Sequence, residues 1–130
     1  MTLAPDYVPG VCNIGSAEIG RKRVGGTAAL LATLAFWVVL LAIDAAPGWH
    51  LLLFFPAFAA AVGLGQAIRH FCIYFGFAAM FNFGRLGDER AVTTRAAIAA
   101  DHRAALRLLG VSAIIAAGVA LLAFGGAFLV

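Results

Sequence analysis

Charge is scarce in this sequence: Lys, Arg, Asp and Glu together make up 12% of its 130 residues, against about a quarter in an ordinary soluble domain. Hydrophobic residues fill 64% of the chain, and the mean hydropathy is +1.01. A domain this small has too much surface to cover with so few polar groups, which excludes a soluble enzyme with an aqueous cleft. Catalytic raw material is equally thin. No Ser or Thr has an obvious His and carboxylate partner, no Gly-rich phosphate loop follows a strand, and of the six carboxylates only Asp88 and Glu89 are adjacent. Cysteine occurs twice, at Cys12 and Cys72.

Long apolar runs take the place of that chemistry. None of the nine basic residues lies between positions 24 and 68, and none lies beyond Arg107. Two apolar stretches, residues 24–43 and 51–68, fit inside the first gap on either side of a short turn containing Asp44, Pro47, Trp49 and His50. A third covers residues 108–130. Each is close to the roughly 20 residues a helix needs to cross a ~30 Å hydrocarbon core, and in lipid only helices or closed barrels satisfy the backbone. The expected fold is an all-α membrane protein of three transmembrane helices. The second span can extend through the aromatic run at positions 71–77, and Pro56 lies near its start, where a missing donor costs little.

The basic residues set an orientation. With Arg21, Lys22 and Arg23 before the first span and Arg69 to Arg107 between the second and third, all nine fall on one side. By the positive-inside rule that side is cytoplasmic. The expectation is a bacterial-type inner membrane protein with a cytoplasmic arm over residues 1–23, a two-helix unit over 24–84, a cytoplasmic basic helix over 85–107 and a third span over 108–130. The carboxyl terminus is then extracytoplasmic. The first apolar run is too long and too far from the start for a cleaved signal peptide. A partly amphipathic helix, opened by Asp88 and Glu89, either lies on the inner leaflet or continues directly into span three, with Arg103 and Arg107 snorkelling to the headgroups. The net charge of +3 is therefore read as a bilayer signal, through Arg21, Lys22, Arg23, Arg95, Arg103 and Arg107 on anionic lipid or a partner, and not as nucleic-acid binding.

Small residues recur four apart, as Gly25 with Ala29, Ala59 with Gly63, Ala61 with Gly65 and Ala113 with Ala117. That spacing lets membrane helices approach closely, in a bundle or a homo-oligomer. On the cytoplasmic side both cysteines are thiols, since that compartment disfavours structural disulfides. Cys72 stands beside Arg69 and His70, where cationic neighbours favour a thiolate; Cys12 lies in an arm that could fold back towards it. Cys12, His70 and Cys72, with Glu18 or His102 as a fourth ligand, form a weak metal candidate without any C-x-x-C pair. His50 and His70 lie at opposite ends of span two, ~30 Å apart at 1.5 Å per residue, and cannot share a haem. Asp44 reads as a helix-ending turn residue, and Gln66 and Asn82 as groups that bond between helices or close turns. No cofactor is required.

The order of motifs carries a resemblance. Asn13-Ile14-Gly15, then Glu18 and Arg21 to Arg23, then Gly25-Gly26 opening an apolar span, a turn with Trp49, and Phe71-Cys72-Ile73-Tyr74-Phe75-Gly76 after the second span together resemble the small two-helix membrane domain of YgaP-type inner-membrane sulfurtransferases. The likeness covers about residues 12–84. Asn13, Gly15 and the arginines match the family's opening and Cys72, Tyr74 and Gly76 its close; Ile73 stands where the family usually has Pro, and no rhodanese domain is present. The resemblance implies a dimerising anchor or a participant in moving reactive sulfur. Two functions follow as expectations: a helical-bundle anchor or interaction subunit at the inner leaflet without catalysis of its own, or a thiol-dependent sulfur carrier or oligomeric conduit using Cys72, assisted by Arg69, His70 and Cys12.

Overall fold

The computed structural model describes residues 7–129; positions 1–6 of the expected arm and position 130 of the third span lie outside them. The chain runs α1 (Ser16–Ala42), a 3-10 helix (Pro47–Leu53), α2 (Phe54–Arg69), α3 (Ile73–Ala78), strands β1 (Met80–Phe81) and β2 (Arg90–Ala91), and α4 (Arg95–Ala127). Three helical segments are long and apolar enough to cross a membrane: Ser16–Ala42, Pro47–Arg69 and Arg95–Ala127.

Helix α1 begins eight residues before the apolar run it carries, so Arg21, Lys22 and Arg23 ride on its second turn and not in an extended arm. The boundary expected at residue 24 marks a change of polarity within one helix. Glu18 in the first turn suits the positive end of the helix dipole. At the other end Asp44 adopts a left-handed conformation, φ 54°, and the amides of Asp44 and Ala45 return to the carbonyls of Leu41 and Leu40. Asp is one of the few residues that take this conformation readily. Pro47 then opens the 3-10 helix, which runs straight into α2.

The second span does not continue through the aromatic run. Arg69 is its last residue, because His70 turns left-handed, φ 54°, and the Phe71 amide bonds back to the Gln66 carbonyl. The chain restarts as the short helix α3, which buries Ile73, Phe75 and Gly76 and exposes Tyr74 and Phe77.

Between α3 and α4 the structure corrects the purely helical expectation. Met80 and Phe81 pair antiparallel with Ala91 and Arg90, and Asp88 and Glu89 sit in the connecting loop instead of opening a helix. Gly87 takes φ +94°, a value that breaks helical pairing there. From Arg95 the expected basic helix and the third span are one unbroken helix of 33 residues.

Helix α2 packs against both α1 and α4, whereas α1 and α4 barely touch. The tightest crossing is at Gly26, where a Cβ would stand 2.6 Å from the Leu64 amide nitrogen; at Gly25 it would meet nothing. Gly63 faces Gly26, and Gly65 faces the Leu108 side chain. On α4 the buried stripe is Ala97, Asp101, Ala105, Leu108, Ser112, Ala116 and Ala120. The close-packing phase is therefore one residue away from the Gly25 and Ala113–Ala117 pairs suggested by composition. Less than a third of each helix's most apolar window is buried within the chain, which leaves long apolar faces on the outside.

Candidate functional site

All nine basic residues lie at one end of the bundle: in the first turns of α1, at the end of α2, in the loop and β2, and in the first part of α4. There the segment before α1, α3 and the small ladder form a cap over the helices. The cap is held by buried polar side chains, each bonded to backbone or to another cap element.

Asn13 is fully buried between α2 and β1. Its Nδ2 donates to the Cys72 carbonyl at 3.2 Å, and its Oδ1 accepts the Cys72 amide at 2.7 Å. Its own backbone is paired on both sides, through the Asn13 amide to the His70 carbonyl and the Asn82 amide to the Asn13 carbonyl; the Ile14 amide shares the His70 carbonyl, and the Gly15 amide reaches the Asn82 carbonyl. Gly15 packs so closely on Phe83 that a Cβ would lie 2.9 Å from its Cα. Asn82 is buried too; its side chain accepts from the Gly84 amide and donates to the Arg85 carbonyl, shaping the turn. Gln66 sends its Oε1 to the Ile73 amide at 2.8 Å, satisfying a donor at the start of α3.

A second tie joins the arm to α4. Asp101, with none of its surface exposed, accepts the Tyr7 hydroxyl on Oδ2 at 2.6 Å and the Gly10 amide on Oδ1 at 2.7 Å. The Tyr7 ring stacks on Phe81 with centroids 4.9 Å apart, among Val92 and Ala97. Burial, then the hydrogen bond to Asp101 and its charge, push the Tyr7 phenol well above the ordinary tyrosine range. Gly10, φ +73°, lies against Ala100, where a side chain would crowd the helix. Neither Tyr7 nor Asp101 stood out in the sequence. The available signal was an acid on the same helical face as Ala97 and Ala105, a place where an unpaired charge is costly.

The sequence-derived thiol site is rearranged. Cys72 has 1% of its surface exposed and packs with Ile14 and Phe75, while Arg69 and His70 are exposed. The arm does fold back towards Cys72, but the contact is made by Asn13, and Cys12 turns its Sγ towards the Ile14 carbonyl at 3.9 Å. Both cysteines are thiols. Among the described residues no three His, Cys, Asp or Glu side chains gather to hold a metal, so Cys12, His70 and Cys72 are not brought together with Glu18 or His102. Glu18 is buried with its Oε1 3.0 Å from the Arg21 guanidinium, within ion-pair distance but off the line of a hydrogen bond. His102 instead faces Phe77, its Nε2 3.3 Å from that carbonyl. Arg95, Arg103 and Arg107 are exposed along the first part of α4, and Arg21 and Arg23 are exposed on α1, with Lys22 half-buried.

At the opposite end His50 is buried, and neither ring nitrogen has a hydrogen-bond partner among the described residues. With Asp44, Leu40 and Ala127 it lines a cavity of about 20 Å³.

No protein-family model, no curated protein and no solved structure matches the chain. These comparisons neither confirm nor refute the likeness to the YgaP-type unit.

Proposed function

We propose that this chain is an integral protein of a bacterial-type inner membrane that acts as a non-catalytic anchor or interaction subunit, with its cap and amino terminus cytoplasmic and its carboxyl terminus extracytoplasmic. The observation that carries this reading is the use made of the polar side chains in the cap. Asn13, Gln66, Asn82 and Asp101 are committed to binding backbone or to the Tyr7 clasp, which is structural work in place of catalytic work for these four. Three apolar helices supply the membrane anchor, and the outward apolar faces suit lipid or a second copy. Exposed Arg95 and Arg103 offer a basic surface to a partner with an acidic face at the inner leaflet.

The alternative, sulfur carriage by Cys72, requires a thiol that a soluble donor can reach, and Cys72 lies under Ile14 and Phe75. A cysteine-free variant, C12S/C72A, separates the two functions. It is expected to keep the wild-type membrane complex and cellular phenotype, while Arg95→Gln with Arg103→Gln loses the complex. Loss of the phenotype in C12S/C72A, with the fold intact by circular dichroism, would overturn the anchor in favour of the sulfur carrier.

A further inference from the structure

Where the cap meets the helices, a cleft of about 320 Å³ opens between α2 and α4. Arg69 and Arg107 line it, Phe71 and Leu108 contribute apolar wall, and Gly10 and Val11 of the arm lie over it. Phe71 and Leu108 are themselves buried. The described ion pairs are Arg21 with Glu18 and Arg85 with Asp88, and neither Arg69 nor Arg107 belongs to one. Arg69 and Arg107 thus line one concave site, and no carboxylate lines it with them among the described residues. Asp101, one turn and a half before Arg107, is buried and committed to Tyr7 and the Gly10 amide. The Val11 amide is taken by the Val8 carbonyl. Among the described residues, the donors this cleft can offer a ligand are therefore the arginines.

Their position along the bundle is as informative as their charge. Arg69 is the last residue of α2, and Arg107 is the last basic residue before the apolar remainder of α4. Both mark the level at which the polar end gives way to the apolar spans. A planar guanidinium matches two phosphate oxygens at once, which a point charge does not.

We propose that the cleft binds a phosphate-bearing oxyanion, whose source is the headgroup of an acidic phospholipid or free phosphate. The site rests on the membrane-spanning reading for its depth, and on the two arginines for its chemistry. A lipid headgroup would place its phosphate between Arg69 and Arg107 and its acyl chains along the apolar wall.

The test uses the full chain in nanodiscs of phosphatidylcholine containing a small fraction of phosphatidylglycerol, with retained lipid counted by native mass spectrometry. Wild type is expected to retain phosphatidylglycerol in preference to phosphatidylcholine. Arg69→Gln with Arg107→Gln is expected to weaken that preference about 30-fold, the combined weight of two basic side chains at a headgroup, whereas Arg69→Lys with Arg107→Lys keeps part of it. Arg21→Gln with Arg23→Gln removes the same charge from the exposed face of α1 and is expected to weaken the preference far less, because general attraction to an anionic surface lacks the concave site. Inorganic phosphate titrated into the phosphatidylcholine-only sample distinguishes the sources: saturable binding lost in the double Gln variant, without phosphatidylglycerol preference, assigns the cleft to the free anion. If neither probe separates wild type from the double variant, or if the Arg21 and Arg23 control loses as much, the site is overturned. A chain that stays in solution without detergent would instead overturn the membrane reading, and the phosphate titration would still decide the cleft.

Discussion

Asn13 binds both the amide and the carbonyl of Cys72 with one carboxamide; the carbonyl also accepts the Gly76 amide, so removal of Asn13 leaves the buried Cys72 amide without its partner. Asn13→Ala is expected to destabilise the cap by about 1–3 kcal/mol. In a Cys12→Ser background it should speed maleimide labelling of Cys72 at least tenfold, a change of about 1.4 kcal/mol or more in the opening equilibrium. Labelling at the wild-type rate would mean that apolar packing alone holds the arm. Tyr7 makes a different prediction. Its phenol is raised in the folded state, so it stays protonated in the pH range where the unfolded chain ionises, near 10. The clasp's contribution is then complete below about pH 10 and declines as pH rises beyond it. Hydrogen exchange of the Gly10 amide should quicken beyond its intrinsic pH dependence above that point, and Tyr7→Phe should abolish the additional dependence. Neither role was legible in the sequence. Tyr7 and Asp101 lie 94 positions apart, Asn13 and Cys72 59 apart, and local composition carries no record of pairs so distant.

At the level of elements, the α1–α2 crossing turns on one of two adjacent glycines. A methyl at Gly26 would collide with the backbone of Gly63 and Leu64, which cannot swing aside as a flexible side chain can. Gly26→Ala is expected to cost about 1–3 kcal/mol in mixed-micelle unfolding. Gly25→Ala meets open space and should be neutral or stabilising by up to about 1 kcal/mol, from helix propensity. Equal effects at the two positions would place the contact elsewhere. The sequence showed the abundance of small residues but not their phase, because an alanine-rich helix offers several stripes of nearly equal size. It located the apolar spans well for the opposite reason, since absence of charge over twenty residues is a local property. The end of α2 was harder to see: a left-handed His70 and the amide of Ile73 met by Gln66 interrupt a run whose composition stays aromatic and apolar.

For the whole molecule, the proposed topology has three crossings, which would place the two ends of the chain on opposite sides of the bilayer. Alkaline phosphatase fused after the last residue is expected to be active and a fluorescent protein at the same point dark; the reverse pattern would overturn the proposed topology, through either its orientation or its number of crossings. The basic residues that suggested this orientation are gathered at one end of the folded bundle, although the cap that gathers them could not be foreseen from their spacing. One further consequence belongs to α4. At 33 residues it is about 50 Å long, and it passes without a break from the Tyr7 clasp to the cavity beside His50. It belongs at once to the cap and to the apolar half of the molecule. A difference of about 5° in its tilt about the capped end would carry the far end through roughly 4 Å, so the angle at which the cap seats Asp101 fixes where Ala127 stands.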